Sequence, residues 1–254
     1  MKAVDKSRVA QCFSQALQSY DSQAQAQQQI NQQLLQLLLQ TGRTAFSQVL
    51  EIGCGTGHFS QLLAQHLQVE SWAFNDLCDV KSQLNALFPQ ENIIFYQGDG
   101  ESYPFPAHYD LIASASAVQW FANPHGFVNK CADLLREKGI LLISTFAPQN
   151  LAEIRALTGI GLDYPDLDQW QQWLSERFEI KALFEQSMPL YFSNPLAVLQ
   201  HLKATGVTAT GQGCWTKGRL KQFIADYKAQ YENTQEQVRL NYQPLFILAQ
   251  KLPQ

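Results

Sequence analysis

The stretch Val49-Leu50-Glu51-Ile52-Gly53-Cys54-Gly55-Thr56-Gly57-His58-Phe59 decides the fold class of this 254-residue chain. Gln48–Ile52 reads as a strand and Phe59–Leu67 as a helix, and between them glycines fall at i, i+2 and i+4. Glycine has no Cβ and tolerates positive φ, so such a loop lets backbone approach a ligand closely. A dinucleotide fingerprint puts its third glycine at i+5, against a pyrophosphate. Here that position is His58, and Glu51 just before the loop suits a cation better than a pyrophosphate. A tight strand-to-helix turn without a ligand is the alternative.

Downstream the rhythm continues. Val69–Phe74, Ile93–Tyr96, Tyr109–Ser114 and Ile140–Phe146 read as strands; Val80–Phe88 and Pro124–Arg136 read as helices, the latter closed by Gly139. Strands alternating with helices predict right-handed crossovers and a doubly wound, mostly parallel α/β sheet. Beyond Phe146, Pro148–Leu157 and Asp166–Phe178 look helical, and Phe178, Ile180, Ala182 and Phe184 alternate as a strand. Residues 193–232 are again helical, interrupted over Thr205–Gly213, and Val238, Leu240 and Tyr242 lead into a terminal strand at Leu245–Ala249. The late strands predict an antiparallel edge and bring the sheet to seven strands.

Upstream, residues 11–40 hold twelve glutamines threaded with apolar residues at spacings of three and four. They predict two helices broken near Tyr20-Asp21 with glutamine on solvated faces, a disordered arm being the alternative. The expected organisation is a helical lid over 1–45, an α/β core over 46–146, and a region of helical insertions and final strands over 147–254.

The sequence predicts no membrane span, since no window of about 20 apolar residues occurs, and no secretory leader, since Met1–Lys6 has no apolar run behind it. Five widely spaced cysteines, Cys12, Cys54, Cys78, Cys131 and Cys214, form no C-x-x-C pair. They fit a reducing cytoplasm better than a disulfide scaffold or zinc finger. The five histidines show no metal-ligand spacing, so no metal is expected. A net charge of −4 disfavours a general nucleic-acid binder. The charge is uneven: residues 200–228 carry Lys203, Lys217, Arg219, Lys221 and Lys228 against Asp226 alone, a net of +4.

Two further acidic signals follow strands. Asp76 follows the second, where a carboxylate accepts from ribose hydroxyls in open α/β sheets; a helix N-cap is the alternative. Gly98-Asp99-Gly100-Glu101 follows the third, where a carboxylate can accept from an adenine amino group; an Asp-Gly turn is the alternative. E-x-G-x-G-x-G, Asp76 and G-D-x-E together resemble the class I S-adenosylmethionine-dependent methyltransferases over residues 46–146. The resemblance implies that Gly53, Gly55 and Gly57 contact the methionine part of that cofactor, Asp76 its ribose and Asp99 its adenine. Glu51, Cys54, Leu77, Gly100, Glu101 and Ser114 join them in the expected cofactor site. Phe13 and Tyr20, seven apart, are read as a lid over it, with helix packing the alternative.

Shorter segments resemble the malonyl-[acyl-carrier protein] O-methyltransferases of biotin synthesis. They are Arg8–Phe13 with Ser19-Tyr20-Asp21, Ser114–Trp120, Leu142–Phe146, Leu202–Thr208 and Leu240-Asn241-Tyr242. Ala115 and Asn241 depart from that pattern, which has Asn and Thr there. The resemblance implies methyl transfer to a malonyl carboxylate. Carboxyl groups titrate near ~4, so this acceptor is ionised at pH 7 and no general base is required. Gln119 and Trp120 are expected to line the acceptor pocket, with Trp120 as plain core the alternative. Phe146, Arg155 and Tyr191 are further candidates; Gln149, Asn150 and Lys203 compete with Arg155 as counter-charge. The basic residues Lys203, Lys217, Arg219 and Lys221 are expected to meet the acidic acyl-carrier protein. A carboxylate methyltransferase of another pathway and a non-catalytic cofactor-binding protein remain the other readings.

Overall fold

The computed structural model describes residues 4–89, 91–106, 108–206 and 215–253, with backbone alone across 17–23. Val207, Thr208, Cys214 and the side chain of Tyr20 therefore lie outside the described residues.

The chain opens with helices α1 (Lys6–Gln23) and α2 (Gln25–Gln40). They part at Ala24 rather than near Tyr20-Asp21, where the small buried residues Ala24 and Ala26 let the chain turn against its neighbours. The glutamine faces are not all solvated. Gln27 and Asn31, one turn apart beside the buried Ile30 and Leu34, are themselves buried.

The core then alternates β1 (Ala45–Ile52), α3 (His58–Ala64), β2 (Gln68–Asp76), α4 (Lys81–Leu87), β3 (Ile93–Gln97) and β4 (Tyr109–Ala115). It continues through α5 (Pro124–Leu134), β5 (Leu135–Phe146), α6 (Ala152–Thr158), α7 (Leu167–Ser175) and β6 (Phe178–Glu185). Last come β7 (Met188–Phe192), α8 (Pro195–Ala204), α9 (Lys217–Tyr231), β8 (Val238–Tyr242) and β9 (Pro244–Lys251).

The main sheet has seven strands in the order β3-β2-β1-β4-β5-β9-β6, and β9 alone runs against the rest. Its central strands are buried on both faces, Ile140–Phe146 and Leu245–Ala249 throughout, as a sheet covered on both sides requires. One covering layer includes α2, α3 and α4, and the other is built on α5 and α7. At full burial each large apolar side chain contributes roughly 1.5–3 kcal/mol.

Three readings are corrected. Helix α5 stops at Leu134 instead of running to a Gly139 cap: Leu135 turns extended and pairs with Tyr109, while Arg136 ion-pairs with Asp110 of β4 at 2.8 Å. The alternation at Val238–Tyr242 is not the start of the terminal strand. It is β8, which pairs with β7 in a separate two-stranded sheet, and Pro244, which has no N–H to donate, begins β9. Helix α6 starts at Ala152, because Ala147 and Leu151 first bond to the carbonyls of Gln243 and Asn241.

The order of the strands sets the site. Connections from β1 run outward through β2 and β3, and those from β4 run the other way, so a crevice opens outside the carboxyl ends of β1 and β4.

Candidate functional site

The crevice starts at the glycine loop. The amides of Gly53 and Cys54 donate to the carbonyl of Asn75 at 2.8 and 3.0 Å. The buried side-chain amide of Asn75 donates in turn to the carbonyls of Tyr96 and Gly98 at 2.8 and 3.0 Å, so one asparagine ties together the ends of three strands. Gly53 has φ +72°, and a Cβ there would sit 2.3 Å from the Cβ of Ala117. Asp76 accepts from the Gly55 and Cys78 amides, each at 2.8 Å. Burial raises its pKa against the opposing pull of those bonds; the carboxylate keeps lone pairs for further donors.

These elements enclose a cavity of about 140 Å³. Of the residues expected at a cofactor, Glu51, Gly53, Cys54 and Gly55 line it from β1 and its loop. Asp76, Leu77, Asp99 and Gly100 line it from the ends of β2 and β3. The Glu51 carboxyl is buried, accepts from the Ser60 hydroxyl at 2.6 Å, and is pushed up to about 8, chiefly by desolvation. Burial also raises the Cys54 thiol well above its ordinary range, which suits a small space-filling residue and not a nucleophile.

Three expected cofactor residues face elsewhere. Gly57 (φ +84°) is the N-cap of α3, where a Cβ would lie 2.5 Å from Leu87 Cδ1, so it serves the packing of α3 on α4. The Ser114 hydroxyl is fully buried between strands, donating to the Ile52 carbonyl at 2.8 Å. Glu101 accepts from the Ala122 and Asn123 amides at 3.0 and 2.6 Å and ion-pairs with Lys6.

Helices α1 and α2 roof the cavity with Lys6, Val9, Phe13, Gln27 and Asn31. Lys6 Nζ also lies 2.6 Å from Asp99, so the third-strand acid is met by a lysine that sequence reading did not single out. Phe13 packs edge-on against Trp120, with ring centroids 5.8 Å apart.

A second cavity of about 590 Å³ lies on the far side of α1. Gln119, Trp120, Phe146 and Arg155 all line it, together with Asn150 and Tyr164, whose side chains bond at 3.0 Å. Arg155 donates to the Pro148 carbonyl. Tyr191, expected here, instead stands on β7 with half its surface exposed and lines neither cavity, because strand alternation turns it outward. His201 is satisfied by the Tyr242 hydroxyl at 2.9 Å. Lys203 and Arg219 belong to the cavity wall, whereas Lys217 and Lys221 lie exposed outside it. Among the described residues the wall holds four cations, Arg8, Arg155, Lys203 and Arg219, and no carboxylate.

Trp120 lines both cavities. Four buried polar atoms along them have no hydrogen-bond partner: Gln27 Oε1, Ser116 Oγ, Gln119 Oε1 and Trp120 Nε1. Buried polar groups are ordinarily paired, and these four have no protein partner. Gln27 and Lys6 were missed because a roof residue has no signature in its own helix; the i, i+4 pairing of Gln27 with Asn31 is the nearest to one.

Residues 20–187 match the sequence family described as "Methyltransferase domain", so the chain is a member of that family. Two solved structures share the fold. YcgJ of Bacillus subtilis has a TM-score of 0.62 at 21% identity, over 88% of this chain and all of that one. The N-methyltransferase NodS of Bradyrhizobium japonicum, in complex with S-adenosyl-L-homocysteine, has a TM-score of 0.55 at 15% identity, over 89% and 87%. Among curated relatives, the Malonyl-[acyl-carrier protein] O-methyltransferase of Haemophilus influenzae is 46% identical, over 98% of this chain and 96% of its own. That of Porphyromonas gingivalis is 42% identical over 98% and 97%. The chain belongs to the malonyl-[acyl-carrier protein] O-methyltransferase family.

Proposed function

We propose that this protein uses S-adenosylmethionine to methylate the free carboxylate of a malonyl thioester carried on acyl-carrier protein, in biotin synthesis. The observation that carries the reading is Trp120, the common wall of the strand-end cavity and of a larger cavity whose charged lining, among the described residues, is all cationic. The residues present fit the cofactor: a loop whose Gly55 (φ +54°) has open space where a Cβ would stand, a buried carboxyl at Glu51, and partnerless buried atoms on Gln27 and Ser116. Gly53 and Gly55 would hold its methionine part, Asp76 its ribose, and Asp99, beside Lys6, its adenine. When bound, the cofactor supplies a methyl group on a positively charged sulfur.

The chain's own residues have two tasks. The second cavity strips water from an acceptor carboxylate, and its half-buried cation Arg155 offsets the cost of burying that charge. Gln119 and Trp120 orient the acceptor toward the shared wall, holding it for in-line attack. No residue has to remove a proton, since the acceptor is already ionised. The basic segment holding Lys203, Lys217, Arg219 and Lys221 steers the acidic carrier protein. Four described cysteines are free thiols, in keeping with a cytoplasmic setting.

The test is incorporation of labelled methyl into malonyl-carrier, malonyl-coenzyme A and free dicarboxylates. A base-labile methyl ester on the malonyl thioesters, absent from free dicarboxylates, is the expected result. Ester formed only on free acids would sink the reading.

A further inference from the structure

We propose that Lys203 and Arg219, with Leu196 and Trp215, form a subsite at the mouth of the second cavity for the phosphate of a pantetheine arm. The inference rests on the malonyl-thioester reading of that cavity. A single acceptor carboxylate needs one counter-charge, yet among the described residues the wall holds four cations and no carboxylate. They fall into two groups by exposure. Arg8 and Arg155 are half-buried, whereas Lys203 and Arg219 are exposed.

The wall also carries the apolar residues Leu151, Ile154, Leu199 and Leu202. At the exposed end stand two large apolar side chains open to solvent, Leu196 at 42% and Trp215 at 43%. A ligand that matches this lining has one anion for the half-buried cations, a neutral stretch for the apolar residues, and a second anion for the exposed cations. A malonyl thioester on a phosphorylated pantetheine arm has that order of groups, and the cavity's 590 Å³ is within the usual range for a ligand of this size.

The helix carrying Arg219 separates this role from carrier docking. At 100° per residue, Lys217 and Lys221 lie within about 40° of each other on α9, and Arg219 lies about 160–200° from both. Arg219 and its neighbour Leu220 line the cavity, whereas Lys217 and Lys221 do not. Arg219 thus addresses the arm, and Lys217 and Lys221, outside the cavity, are left for the protein that bears it.

The test compares malonyl-pantetheine, which lacks the phosphate, with malonyl-phosphopantetheine, on the full chain and on Lys203→Ala and Arg219→Ala. Each substitution is expected to raise the KM for the phosphorylated substrate about two- to fivefold, as loss of an exposed charge pair does. The KM for malonyl-pantetheine is expected to stay put, and Arg219→Lys to recover most of the loss. Equal KM increases on both substrates overturn the subsite, as does no increase on either. Calorimetric binding of phosphopantetheine against pantetheine reads the same subsite without turnover. A preference for the phosphorylated arm that Arg219→Ala abolishes would uphold it even if no malonyl thioester were methylated, an outcome that would instead sink the proposed function; no preference would overturn it.

Discussion

Glu51 is the residue where charge and burial conflict most. Its carboxyl titrates near 8 in the folded chain against an ordinary value of 4.5, with desolvation the main cause. A folded-state pKa above the unfolded one contributes stability that is complete below pH 4.5 and lost as pH rises through 8. Replacing it with an uncharged isostere removes that loss. Glu51→Gln is therefore expected to melt higher than the parent at pH 8.5, by a difference of order a few kcal/mol in unfolding free energy, and to match it at pH 5. Thermal melts of cofactor-free protein at the two pH values check this. The unpaired Trp120 indole N–H makes a second residue-scale case. Trp120→Phe keeps an aromatic wall and deletes a donor that has no protein partner. It is expected to lower kcat/KM for malonyl transfer about tenfold or more while leaving the melting temperature within a degree or two. An unchanged rate would show that the donor never meets the acceptor.

At the level of the helices, α7 and α9 make separable predictions. Asp166 accepts from the Gln169 amide at 2.9 Å and Gln169 returns the bond to the Asp166 amide, a complete capping box at the start of α7. Asp166→Ala is expected to cost about 1 kcal/mol, or ~2–4 °C in Tm for a chain of this size, with methyl transfer unchanged. Differential scanning calorimetry beside an activity assay reads both. On α9, charge reversal at Lys217 and Lys221 is expected to slow methylation of the carrier-bound substrate several-fold at low salt, with less effect on the coenzyme A thioester. The gap should close as salt is added, and equal slowing of both substrates would count against docking on that face.

Across the whole molecule, the second sheet joins the appended helices to the core through His201. This side chain is buried between α8 and β8, bonded to the Tyr242 hydroxyl and packed on Phe192. Burial lowers its pKa to about 4 from 6.5. Because the folded value is the depressed one, its contribution is present above pH 6.5 and is lost as pH falls through 4. The parent is expected to lose on the order of 3 kcal/mol over that interval through this group, and His201→Gln to show a correspondingly shallower acid slope in denaturant melts.

The glycine loop, Asp76 and Asp99 were legible in the chain because their determinants are local. A strand end, a turn and a helix start lie within a few residues, and the chemistry of glycine and carboxylate is carried by each position itself. The parallel core followed from the same short-range alternation. Where helix α5 stops and where β8 parts from β9 could not be read that way. Both depend on partners far off in sequence, Asp110 for Arg136 and β7 for β8. The large cavity is the extreme case. Arg8, Trp120, Arg155, Lys203 and Arg219 come from segments spread over some two hundred positions, and nothing in any one segment reports the others. The folded packing of α1, α6, α8 and α9 around Trp120 brought cations scattered along the chain into the lining of one cavity, since charge and exclusion of water act through space and not along the chain.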